Sequence, residues 1–118
     1  MHLQAVGLED RADWKAAQLS HGERRQLEMA MALAGEPELM LLDEPMAGMG
    51  AEETARMVAI LKSLSDQSIL LIEHDMDAVF ALADRISVLV YGRVIATDTP
   101  DAIRANEDVR RAYLGEAA

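Results

Sequence analysis

Two short runs of uninterrupted aliphatic residues, each ending in a cluster of charge, constrain this chain more than any other feature. Leu39-Met40-Leu41-Leu42 stops at Asp43-Glu44-Pro45, and Ile69-Leu70-Leu71-Ile72 stops at Glu73-His74-Asp75. Each run is strand-sized and apolar on both faces, as in a parallel strand covered above and below. Helical patterns alternate with these runs, so the chain reads as an α/β unit with parallel central strands flanked by helices. The carboxyl-terminal edge of such a sheet is where open α/β folds keep their ligands, and both charged clusters fall there.

The remaining elements follow from spacing and punctuation. A short helix is expected between Glu9 and Ala17. A second opens after Ser20, where Ser20 and Glu23 stand in capping-box spacing; Leu27, Ala30, Met31 and Ala34 form its apolar face, and Gly35 and Pro37 end it. Met46 to Gly50 reads as a loop, and Ala51 to about Leu64 as a helix with Met57, Leu61 and Leu64 inward. Asp66-Gln67-Ser68 turns into the second aliphatic run. Met76 to Asp84 is expected to be helical. Ile86 to Tyr91 and Val94 to Thr97 flank Gly92-Arg93 as a carboxyl-terminal β-hairpin, and Thr99-Pro100 caps a last helical region.

At 118 residues the chain is long enough for one domain and too short for two, and it has neither linker nor repeat. Its 21 acidic residues outnumber 11 basic ones, and a net charge of -10 argues against a surface built to hold nucleic acid, though not against a local anion site. Cysteine is absent, which removes disulfides, thiol nucleophiles and cysteine-based zinc sites and fits a reducing compartment. No apolar run approaches the roughly 18 residues needed to cross a bilayer. Met1 to Asp10 lacks the basic and then apolar pattern of a secretion signal. The expectation is a cytoplasmic protein whose membrane role, if it has one, is peripheral.

Three constellations could carry chemistry. In Asp43-Glu44 the aspartate could hold Mg²⁺, directly or through water, and the glutamate could orient or deprotonate an attacking water; the plainer alternative is a solvated acidic turn. In Leu19-Ser20-His21-Gly22-Glu23 a hydroxyl, a glycine and several free backbone N–H groups meet at a helix amino terminus, which attracts phosphate, although a helix cap alone accounts for Ser20 and Glu23. His74 could donate a hydrogen bond to a phosphate, or be a satisfied surface residue. It has no metal-ligand spacing to His2 or His21.

In this order and at these distances, the three features resemble the ATP-binding subunit of ABC transporters. Leu19-Ser20-His21-Gly22-Glu23 resembles the signature Leu-Ser-Gly-Gly-Gln, Leu39 to Asp43 the Walker B strand, Glu44 the catalytic glutamate and His74 the switch histidine, while Met46 to Gly50 falls at the D-loop. The segments Glu44 to Gly50, Ile72 to Met76, and the ending Arg104-Ala105-Asn106 through Ala112-Tyr113-Leu114-Gly115 look most like the branched-chain amino acid importers, with the urea and amide importers close by. The sequence departs from the pattern at His21, which replaces a glycine, at Glu23, which replaces glutamine, and at Gly50, where the D-loop usually has aspartate.

The resemblance covers essentially the whole chain but only the second half of that subunit, from the signature to the carboxyl terminus. A P-loop, Gly-x-x-x-x-Gly-Lys-Ser/Thr, is missing, since neither Lys15 nor Lys62 follows a glycine. The adenine-stacking aromatic and the glutamine loop would also lie in the missing half. The resemblance therefore implies the carboxyl-terminal half of a P-loop NTPase domain of the ABC class, unable to hydrolyse ATP by itself. In a complete subunit it implies ATP and Mg²⁺ as ligands, Asp43 on the metal through water, and Ser20, His21, Gly22 and Glu23 capping ATP held by a second ATP-binding subunit. Glu44 and His74 would be catalytic, and dimer closure would drive transmembrane permease subunits from the inner face of the membrane. The competing expectations are a truncated, non-catalytic interaction module and an ABC-type ATPase acting on nucleic acid or ribosomes.

Overall fold

The computed structural model describes residues 2–114. It divides into two compact units, one up to Ala78 and one from Val79 onward.

The first unit begins with a single helical turn, α1 (His2–Ala5), which the sequence pattern does not announce. The helix expected over residues 9–17 is two separate 3-10 turns, Glu9–Arg11 and Ala16–Gln18. Extended backbone at Lys15 separates them, and the Lys15 N–H donates to the Gln18 side chain at 3.1 Å. The Arg11 guanidinium lies over the Trp14 ring, 4.2 Å from its centroid, and bonds Glu23 through Nε at 3.2 Å.

Helix α2 (His21–Ala34) starts where the capping box predicts: Glu23 N–H donates to the Ser20 hydroxyl oxygen at 3.1 Å, and Ser20 N–H to the Glu23 carboxylate at 2.9 Å. Its buried face differs from the expected one. Gly22, Gln26, Met29 and Ala30 face inward, while Met31 and Ala34 are exposed. The rotation has a polar cause: Gln26 donates from Nε2 to the Val6 carbonyl at 2.8 Å, satisfying a buried amide and tying the loop after α1 to the helix.

Strand β1 (Leu39–Asp43), helix α3 (Ala51–Ser63) and strand β2 (Ser68–Ile72) form a βαβ unit, with β1 and β2 parallel and Leu39 paired to Ser68 through Asp43 to Ile72. Met57 and Leu61 of α3 are buried, as is Met40 of β1. The opposite sheet face carries Leu39, Leu41, Leu70 and Ile72, each more than half exposed. The strands are thus apolar on both faces, and the described residues of this unit cover one.

Helix α4 (Met76–Leu82) leads into the second unit, where β3 (Ile86–Val90) and β4 (Arg93–Asp98) form an antiparallel hairpin. Its turn is Tyr91-Gly92, both at positive φ (50° and 76°), so Arg93 belongs to the strand and not to the turn. Helix α5 (Pro100–Ala105) is capped by Thr99, with Pro100 in its first turn, and a short α6 (Glu107–Val109) is capped by Asn106. A wider turn, Arg110–Leu114, follows. Ile86, Val88, Ile103 and Val109 make this unit's core, with Phe80 packed against it and Arg104 over the Phe80 ring. Gly115, the last residue of the family-like ending, lies outside the described residues.

Candidate functional site

The parallel register brings Asp43 level with Ile72, so the segments that follow β1 and β2 leave the sheet at one edge. Glu44 enters its turn with φ 48°, a left-handed conformation that costs a residue bearing a Cβ roughly 1–2 kcal/mol. It is held there by its N–H, which donates to the Ile72 carbonyl at 2.7 Å. Strain of this kind persists only where the surroundings enforce it, and it concentrates at functional positions.

The held geometry aims the Glu44 carboxylate at His74, with Oε1 2.5 Å from Nδ1. This hydrogen bond and the Glu44 charge raise the His74 pKa above the usual 6.5, with Glu73 and Asp75 adding and slight desolvation opposing. The imidazole is 74% exposed and so remains open to a ligand. Sequence reasoning named both residues, and the structure joins them.

Glu73 was passed over as a site residue. Its side chain is 1% exposed, with one carboxylate oxygen accepting the Met46 N–H at 3.2 Å and the other the His74 N–H at 3.1 Å. A signal was present: in β2 the inward positions are Ile69 and Leu71, and Glu73 continues their period of two. Glu44, Glu73 and His74 form one cluster that could hold a metal, but two carboxylates already committed to N–H donors and a nitrogen ligand do not suit Mg²⁺, which prefers oxygen and retains water. Asp43 suits it better. This carboxylate is exposed, stands apart from the cluster and has no partner among the described residues, as one protein ligand of a mainly water- and phosphate-bound cation requires.

At the start of α2 the Ser20 oxygen accepts from the Glu23 N–H, and its hydroxyl also bonds the Glu23 carboxylate. The Glu23 pKa is lowered, mainly by the Ser20 N–H it accepts, and further by the Ser20 hydroxyl and Arg11, against desolvation. A Cβ on Gly22 would stand 2.8 Å from a carboxylate oxygen at the flexible end of the Glu53 side chain on α3, so glycine there lets Glu53 pack close to the first turn. His21 turns away from the helix end to place Nε2 3.1 Å from the Ala47 carbonyl. Its ring would also stand 3.2 Å from a Cβ on Gly48, whose φ of 76° favours glycine as well. The Met46 to Gly50 loop is thus gripped from both sides, by Glu73 at Met46 and by His21 at Ala47.

Comparison with known proteins finds relatives among the ATP-binding proteins of ABC transporters. A family model described as ABC transporter matches residues 2–47, and one described as branched-chain amino acid ATP-binding cassette transporter matches residues 93–118. The chain is 44% identical to the high-affinity branched-chain amino acid transport ATP-binding protein LivG of Escherichia coli (strain K12), over 98% of this chain and 46% of that protein. The ADP conformation of MJ1267, an ATP-binding cassette of an ABC transporter, superposes with a TM-score of 0.84 at 27% identity over 98% of this chain and 48% of that one. CbiO1 from Clostridium perfringens, part of the ABC transporter complex cbiONQ, gives a TM-score of 0.83 at 29% identity over 94% of this chain and 45% of its own. The chain spans about half the length of the relatives it matches.

Proposed function

We propose that this chain, which belongs to the ABC transporter ATP-binding family as a counterpart of its carboxyl-terminal half, completes an ATPase site that powers import of branched-chain amino acids. The observation that carries this reading is the Glu44–His74 pair at the shared strand edge, with Asp43 free beside it. The P-loop comes from the other half of the domain, whose apolar elements cover Leu39, Leu41, Leu70 and Ile72.

When bound, Mg-ATP supplies the transferable phosphoryl group and the cation that offsets its charge. Asp43 would hold that cation. Glu44 orients the attacking water and accepts its proton, and His74 donates a hydrogen bond to the terminal phosphate. In the chain as it stands the Glu44 carboxylate rests on His74 Nδ1, which leaves Nε2 to face the phosphate. The first turn of α2, through the Ser20 hydroxyl and the backbone N–H groups around Gly22, caps ATP on the P-loop of a second ATP-binding subunit, and closure of the two is transmitted to transmembrane permease subunits. No described helix is long and apolar enough to cross a membrane, and the subunit works on the permease from the inner face.

Calorimetry tests the reading. Mg-ATP is titrated into this chain alone, and into the chain mixed with a P-loop-bearing half-subunit of the same family. Binding only in the mixture supports the complementary half-site. Binding in neither favours a non-catalytic remnant, and binding by the chain alone means a phosphate seat other than the P-loop.

A further inference from the structure

A carboxylate removed from water is costly unless every lone pair finds a donor, and Glu73 is the most deeply buried acid at the strand edge. Its donors come from two places. The His74 N–H, at 3.1 Å, and the Asp75 N–H, at 3.5 Å, belong to its own strand end. The Met46 N–H lies 27 residues away, two positions beyond Glu44 in the turn that follows β1. Glu73 therefore links the turn bearing Glu44 to the segment bearing His74. Beside the Glu44–Ile72 backbone bond and the Glu44–His74 contact itself, it is a buried side-chain tie between them. Its Oε1 also lies 3.8 Å from His74 Nδ1, behind the closer oxygen of Glu44.

We infer that Glu73 is a positioning residue: by joining the Met46 amide to the His74 and Asp75 amides through one buried carboxylate, it sets the distance and orientation of the Glu44–His74 pair. The inference rests on the roles proposed for Glu44 and His74, but it concerns their geometry before any nucleotide binds. A carboxylate does this better than an amide, because both of its oxygens accept. In Glu73→Gln one end of the side chain becomes a donor facing an N–H, and one of the two links is lost.

The test is NMR on this chain without nucleotide. In Glu73→Gln the Met46 amide should exchange about tenfold faster or more, and the His74 ring-nitrogen shifts should lose the signature of the Glu44 hydrogen bond, while the Leu41 and Leu71 amides keep their protection. Asp75→Asn removes the same charge near His74 without touching the Met46 link and should leave both readouts in place. Unchanged Met46 exchange and ring shifts in Glu73→Gln would overturn the inference, as would equal changes in Asp75→Asn. Should Glu73→Gln lose protection throughout, Glu73→Asp decides, since it keeps the charge but withdraws it by one methylene: a freed Met46 amide supports positioning, and wild-type values overturn it. If turnover in the assembled ATPase proves independent of Glu44, the functional reading fails while the Glu73 result stands.

Discussion

The second unit buries one face of β3 beneath its own helices, and the first leaves a whole aliphatic face of its sheet uncovered. In β3 the pattern alternates, with Ile86 and Val88 inward and Ser87 and Leu89 outward, and the inward face is met by Ile103 and Val109 of the helices that follow. In β1 and β2 both faces are aliphatic, and the side bearing Leu39, Leu41, Leu70 and Ile72 is left to solvent. The strained Glu44, the buried Glu73 and the joined His74 all belong to the unit with the uncovered face. Strand patterning follows part of this difference: β1 and β2 are continuous apolar runs with one face uncovered, while β3 turns Ile86 and Val88 inward and leaves Leu89 exposed.

Breaking the chemistry gives the largest expected effect. In the chain assembled with a P-loop-bearing half, Glu44→Gln should lower ATP turnover by more than about 100-fold while leaving ATP-dependent association intact. Val94→Ala, on the exposed hairpin of the second unit, should leave turnover within about twofold. Steady-state ATPase assays decide this, and unchanged turnover in the glutamine variant removes Glu44 from its role.

Stability sharpens the contrast next. Ile103→Ala, at a position 2% exposed, should cost about 2–5 kcal/mol in urea denaturation, whereas Leu41→Ala, at 69% exposed, should cost less than about 0.5 kcal/mol in this chain. The Leu41 cost should rise once the other half of the domain is bound. Equal costs in the isolated chain would erase the distinction between the units. Ser20→Ala, which removes a cap that the first unit satisfies by itself, should cost about 1 kcal/mol.

The smallest effect is a titration. The His74 pKa is raised in the folded chain, so its ion pair with Glu44 is fully present below pH 6.5 and is lost as pH rises through the raised value. A histidine NMR titration should give a midpoint above 6.5, and Glu44→Gln should move it back toward 6.5. A midpoint at or below 6.5 in the unaltered chain would mean that the pair does not form in solution.

Features governed by local chemistry were legible in the sequence. The box at Ser20 and Glu23, the two strands, the α3 residues Met57 and Leu61, and the caps at Thr99 and Pro100 were all read from neighbouring residues and found in place. Features governed by distant partners were not. Gln26 is inward because the Val6 carbonyl, twenty positions earlier, accepts from it, and this turned the α2 face away from Met31. The break at Lys15 and the left-handed Tyr91 also escaped periodicity, which records which side is apolar and not where the backbone changes direction. At the site, Glu44 and His74 were named for their chemistry, but their contact depends on a parallel register joining residues 30 apart. Glu73 was visible as a polar residue and hidden as a buried one.

Because β1 is aliphatic on both faces, sliding it one residue along β2 would sacrifice little hydrophobic contact, so the greasy side chains are poor judges of alignment. The judges are polar and sit at one end. A slip that parted Asp43 from Ile72 would break the Glu44 N–H bond to the Ile72 carbonyl and withdraw the Met46 N–H from the buried Glu73 carboxylate. The edge that gathers the candidate chemistry thus also favours the observed register, since a mispaired chain leaves one oxygen of the buried Glu73 carboxylate without its Met46 donor.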